Sequence, residues 1–155
     1  MKSLAALLIL CATAAASPTV TFVHTAAGSY GAQKAGEDAG PLYAFVKIDS
    51  AKPETMKLTS LFVTRDKKVC ARTTKPLVVN RVKAFTDANA QLRVDADKGS
   101  PWKGEVAKGT TWLRIEAVMD HQCSAAKPEP IVRITFANGN IPIEVTRAFD
   151  ERLPS

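Results

Sequence analysis

Few side chains in this sequence have the chemistry of a catalyst. Past residue 16 it holds two histidines, His24 and His121, and two cysteines, Cys70 and Cys123. His121 stands in the run Asp120-His-Gln-Cys-Ser124, where an acid, an imidazole, a thiol and a hydroxyl lie close together. A small hydrolase or metal-dependent enzyme would be built around His121. A Ser–His–Asp relay, however, needs its members brought together across a fold. Neighbouring residues on a strand point to opposite faces, so Asp120 does not orient His121 from where it stands. A Cys123 nucleophile requires a free thiolate. A metal site from His24, His121 and Asp120 has no ligand spacing behind it. Asp95-Ala-Asp97-Lys-Gly99 resembles a calcium loop only in part: a third acidic ligand is missing and its glycine comes one position early. HExxH, CxxC, GxSxG, P-loop and dinucleotide patterns are all absent from the sequence. No catalytic residue, metal or cofactor is therefore assigned, and a binding module stands ahead of a His121 enzyme and of a structural envelope component without ligand.

The chain opens Met1-Lys2, continues through the apolar run Leu4–Ala16, and reaches Ser17-Pro18. One positive charge, a short apolar core and the small residues Ala14 and Ala16 before Ser17 have the form of a secretory signal peptide cleaved near Ala16. The run is too short for roughly 30 Å of hydrocarbon, so no stable membrane span is expected. Cleavage would remove Cys11 and leave Cys70 and Cys123, an even pair that in an exported protein reads as one disulfide. The expected mature protein is a single domain from residue 17 to 155, secreted or periplasmic.

The elements that position these residues are strands. Thr110–Asp120 alternates for its whole length, with Thr111, Leu113, Ile115, Ala117 and Met119 on one face and Trp112, Arg114, Glu116 and Val118 on the other. Such a period-two pattern marks a half-buried strand, here the central one of the sheet. Thr19–His24, Leu42–Asp49, Thr55–Thr64, Val69–Arg72, Pro76–Phe85 and Gln91–Ala96 are further strands. Turns fall at Ala51–Glu54, Asp66–Lys68 and Thr86–Ala90, and the glycine-rich stretch Thr25–Gly40 reads as a long loop. Two hairpins follow. A turn at Lys108-Gly109 would fold Pro101–Ala107 onto the central strand, pairing Val106 with Thr111 and Trp102 with Ile115. That pairing makes Trp102 a core residue and Trp112 an outer one. At Asn138-Gly139, a strong hairpin signal, a four-residue loop would pair Phe136 with Ile141, and Arg133 would stand opposite Glu144. Ile141–Phe149 would be an edge strand because Pro142 lacks a ladder N–H.

About seven to nine strands separated by turn signals indicate an all-β antiparallel β-sandwich. With its long-range cysteine pair the pattern resembles immunoglobulin-like sandwiches in general. It departs from antibody-type domains in having no tryptophan or tyrosine corner at the expected spacing around Cys70 and Cys123.

Charge points to a surface. The formal net charge is +6, and between Arg65 and Lys83 there are seven basic residues and one acid, Asp66. If Val69–Arg72 and Pro76–Phe85 were neighbours, Lys67, Lys68, Arg72, Arg81 and Lys83 would form one basic face. Such a face attracts acidic polysaccharide, anionic lipid headgroups or an acidic protein. Nucleic acid fits less well, because aromatic stacking residues are few in this stretch. Trp112 beside Arg114 on an outward face is the other candidate contact, since exposed tryptophan commonly serves as a platform, including for sugars. The expected function is an exported module that recognises a protein or an anionic polysaccharide through a basic, tryptophan-containing surface.

Overall fold

A computed structural model describes residues 16–27, 40–86, 92–120, 123 and 128–148. Its regular elements are all strands: β1 (Thr19–Ala27), β2 (Pro41–Ser50), β3 (Glu54–Thr55), β4 (Lys57–Arg65), β5 (Lys68–Arg72), β6 (Val78–Thr86), β7 (Leu92–Pro101), β8 (Glu105–Val106), β9 (Gly109–Val118), β10 (Ile131–Asn138) and β11 (Ile141–Ala148). These eleven exceed the expected count. Met56 sets β3 apart from β4, and residues 101–107 supply only the end of β7 and the two-residue β8. Among the described residues no helix is long and apolar enough to cross a membrane.

The strands form two main antiparallel sheets. One has the order β1-β2-β9-β6-β7, the other β11-β10-β4-β5, and β3 pairs with β8 as a small third sheet. Strand β9 is central, as its alternation implies, and Leu113, Ile115 and Ala117 are fully buried. They meet Val46 and Ile48 of β2 and, from the facing sheet, Val63, Val132, Ile134 and Phe136 in one core. Each fully buried valine, leucine, isoleucine or phenylalanine here contributes about 1.5–3 kcal/mol relative to exposure.

The Lys108-Gly109 hairpin does not form. Both edges of β9 are occupied by distant strands, β2 and β6. β2 pairs with β9 along its whole length, from Pro41 opposite Val118 to Ser50 opposite Gly109. Its inward pairs are Leu42 with Ala117, Ala44 with Ile115 and Val46 with Leu113, a longer apolar match than residues 101–107 can offer. Val106 instead pairs with Glu54. Gly104 turns the chain with φ +102°, and its carbonyl accepts the Met56 N–H at 2.8 Å. Trp102 nevertheless packs on the core, edge-on to Phe136 with ring centroids 6.2 Å apart.

The Asn138-Gly139 hairpin forms in a different register. Asn138 is opposite Ile141 and Phe136 opposite Ile143, which leaves a two-residue loop, Gly139-Asn140. Gly139 has φ +58° while Asn140 is not among the positive-φ residues, the arrangement of a type II′ turn with glycine first. Pro142 does not oppose this loop. Residues flanking a two-residue loop form the hydrogen-bonded pair, so the next pair, Ala137 and Pro142, is the non-bonded kind. The missing N–H of Pro142 is turned outward on the edge strand β11. Arg133 and Glu144 do form an ion pair, Nη1 to Oε1 2.9 Å, but diagonally, since Arg133 is opposite Thr146.

Strands β5 and β6 are not neighbours. They lie at an edge of one sheet and inside the other, because Thr73 leaves β5 and bridges to Met119, just past β9. There the sheets are clasped. The Cys70–Cys123 disulfide spans a Cα–Cα distance of 5.7 Å. The Arg72 N–H donates to Asp120 Oδ1 at 2.8 Å, and the Asp120 N–H donates to the Arg72 carbonyl at 2.9 Å. At the opposite seam Arg147 Nη1 of β11 donates to the Phe22 carbonyl of β1 at 3.3 Å, next to the irregularity in β1 between Phe22 and His24.

Candidate binding face

The alternation that buries Leu42, Ala44, Val46 and Ile48 sends Tyr43, Phe45, Lys47 and Asp49 to the outer face of the five-stranded sheet. The same phase on β9 sends out Trp112, Arg114 and Glu116. Register brings these together: Lys47 beside Trp112, Phe45 beside Arg114, Tyr43 beside Glu116. On the other flank of β9, Val82 is beside Trp112 and Asn80 beside Arg114. His24 on β1 is opposite Phe45, their rings tilted at 31° with centroids 6.2 Å apart. Aromatic and β-branched side chains favour such a pleated surface and support one another across strands.

The charges on this face differ in how they are held. Lys47 Nζ is 3.1 Å from Asp49 Oδ2, and Thr110 Oγ1 donates to Asp49 Oδ1 at 2.6 Å. The Thr110 hydrogen bond holds the Asp49 carboxyl below its usual range; burial opposes it, and the hydrogen bond and charge of Lys47 add smaller lowering effects. Arg114 is held differently. Its Cζ lies 5.8 Å from the centre of the Tyr43 ring, a cation–π contact. Its Nε is withdrawn from water and has no hydrogen-bond acceptor among the described residues. At the end of the sheet Thr19, Asp49, Ser50 and Thr110 line an open depression of about 290 Å³.

Of the residues singled out from sequence, Trp112 and Arg114 stand together on this half-buried face. Lys67, Lys68 and Arg72 belong to the edge of the other sheet. Lys67 is a turn residue, with Asp66 and Lys67 both at positive φ (49° and 61°). Arg81 and Lys83 are on β6. Arg81 Nη2 donates to the Glu105 carbonyl at 2.6 Å, which also accepts Trp102 Nε1 at 2.8 Å, so Arg81 pins the β8 segment. Lys83 is exposed, opposite Asp95. The basic residues are therefore divided between two sheets. Tyr43 and Phe45 were not singled out from sequence; the available signal was two aromatic rings in the same phase as Lys47 and Asp49 within LYAFVKID.

His121 and Ser124 lie outside the described residues, as do most of the Thr25–Gly40 stretch and residues 1–15. Cys123 is bonded to Cys70 and is not a free thiol. Asp95, Asp97 and Gly99 fall within strand β7. Among the described residues no group of three or more His, Cys, Asp or Glu side chains could hold a metal ion. Searches for related proteins returned no matching family model and no matching curated protein.

Proposed function

We propose that this protein is an exported, non-catalytic binding module whose contact surface is the outer face of the five-stranded sheet, and that its ligand is an anionic glycan. The observation that carries the proposal is the unpaired Nε of Arg114 beside Trp112, Tyr43 and Phe45. A guanidinium N–H kept from water without an acceptor costs about 1–3 kcal/mol. Arg114 as a whole is only half-buried, so a carboxylate or sulfate at the face would bond the guanidinium from outside and draw it outward, relieving the burial of Nε through a charge-assisted bond. The aromatic rings offer the flat apolar surface against which the C–H face of a sugar ring packs. Export rests on the Leu4–Ala16 run and on a disulfide of the kind oxidising compartments maintain. The likeness to immunoglobulin-like sandwiches rests on facing antiparallel sheets with one disulfide, and bears on architecture rather than ligand.

The test is affinity electrophoresis of the purified protein through gels holding a sulfated polysaccharide, a polyuronate or a neutral glucan. The acidic polymers are expected to retard it, less so at high salt. Trp112→Ala is expected to weaken that retardation about tenfold, equivalent to about 1.4 kcal/mol. Equal retardation by the neutral glucan, or unchanged retardation of Trp112→Ala, would refute the proposal. Capture of a protein partner in a Trp112-dependent way, with no retention by any polysaccharide, would keep the face and overturn the ligand class.

A further inference from the structure

We infer that a second surface, at the β5 corner of the four-stranded sheet, docks on an anionic lipid bilayer. Ile131 of β10, Thr64 of β4 and Val69 of β5 stand side by side in register. Because Val132 and Ile134 point into the core, this row belongs to the outward face. It is the reverse side of the sandwich from Trp112. Thr64 is buried to 5% exposure, yet Ile131 and Val69 on either side of it are exposed to 36% and 41%. Arg133 Nε donates to Thr64 Oγ1 at 3.1 Å, which fills the space between them. Two apolar tips thus project from one row, two strand spacings or about 10 Å apart, with the β4–β5 pairing shifted between Val63 and Thr64.

Cations lie beside Val69, while the exposed Glu129 stands two residues before Ile131 and Asp120 accepts the Arg72 N–H. Lys67, Lys68 and Arg72 are all exposed, and Asp66 is the one acid between residues 65 and 72. A hydrated polyanion would use the cations and leave Val69 and Ile131 facing water. A bilayer interface satisfies both, with phosphates against the lysines and arginine and the β-branched tips just below the headgroups. The patch is an exposed row of side chains rather than a groove, which suits an extended partner. A few basic residues and two short apolar side chains give weak, reversible, salt-sensitive attachment, in contrast to a membrane span.

The test is co-sedimentation of the purified, disulfide-bonded protein with vesicles of phosphatidylcholine alone or mixed with phosphatidylglycerol. Binding is expected on the mixed vesicles at low salt and lost at roughly 0.5 M salt. Lys67→Glu/Lys68→Glu should lower partitioning at least about tenfold. Val69→Thr/Ile131→Thr, which keeps the β-branched backbone preference, should lower it about threefold. Trp112→Ala should partition as the parent protein does, so failure here is separable from failure of the glycan proposal. Equal sedimentation with both vesicle types, no sedimentation at low salt, or full partitioning of the lysine variant would overturn the inference. Retention of the same patch on a sulfated polysaccharide without vesicle binding would overturn it as well.

Discussion

Arg114→Met is expected to stabilise the fold while removing ligand binding. The guanidinium Nε is withdrawn from water without an acceptor among the described residues, a burden of about 1–3 kcal/mol. Its contact with the Tyr43 ring, 5.8 Å from centroid, returns about 0.5–1 kcal/mol at a partly exposed site. Methionine keeps an unbranched stem to pack beside Phe45 and adds no unpaired donor. The balance is a gain of about 1 kcal/mol, worth about 3–5 °C in Tm for a domain of this size. Equilibrium urea unfolding should show a higher midpoint with an unchanged slope. Arg114→Lys separates charge from geometry: it removes the Nε–H and should also unfold later, yet it lacks the planar fork that grips a carboxylate. A loss of more than about 1 kcal/mol in Arg114→Met would show that the Nε is satisfied in the native protein. The premise of the binding face would then fail. Opposite signs in stability and affinity are the signature of a residue kept for function.

Other perturbations have equally definite outcomes. Replacing Cys70 and Cys123 by alanine frees a connection of 53 residues and should cost about 4 kcal/mol in the chain-entropy account, read as a lowered urea midpoint; a loss below about 1 kcal/mol would mean the clasp is held chiefly by Asp120 and Thr73. Gly104→Ala places a Cβ 2.6 Å from the Met56 carbonyl oxygen at φ +102°. The strained backbone at about 1–3 kcal/mol and the disturbed Met56 bond at about 1 kcal/mol make a loss of about 3 kcal/mol, measurable by the same titration. Asp49 has its folded pKa depressed. Its ionised form therefore contributes stability above the unfolded pKa, and that contribution is lost as pH falls through the folded value. The stability difference between the parent protein and Asp49→Asn should be level above about pH 5 and shrink on further acidification.

The central strand, the outward Trp112, the cysteine pair and the edge position of β11 were legible in the sequence because each rests on local pattern. Alternation in Thr110–Asp120 already separates Leu113 from Trp112, and the two cysteines past residue 16 are the pair that bonds. Partner choice between strands is a different matter. The hairpin expected at Lys108-Gly109 lost to β2, whose match to β9 is longer but lies some sixty residues away in the chain. Nothing local reports that competition. The basic face dissolved for a similar reason: Thr73 crosses from one sheet to the other, so charges adjacent in sequence end on separate sheets. The register at Gly139 differs by two residues from that of the four-residue loop, which the missing N–H of Pro142 favours. In a two-residue hairpin that position faces away. The aromatic half of the candidate site was visible in principle, since Tyr43 and Phe45 share the phase of Lys47 and Asp49. Its significance appears only when β2 is laid beside β9.

Pro142 has one more effect. The rim of β11 presents its outward groups at residues 142, 144 and 146; toward Arg147 it meets β1, so an incoming ribbon would have to bond at the Pro142 end. One of these sites carries no amide hydrogen and another bears the carboxylate of Glu144. A second molecule pairing along that rim would find no amide hydrogen at Pro142, beside the turn, so edge-to-edge growth is discouraged there.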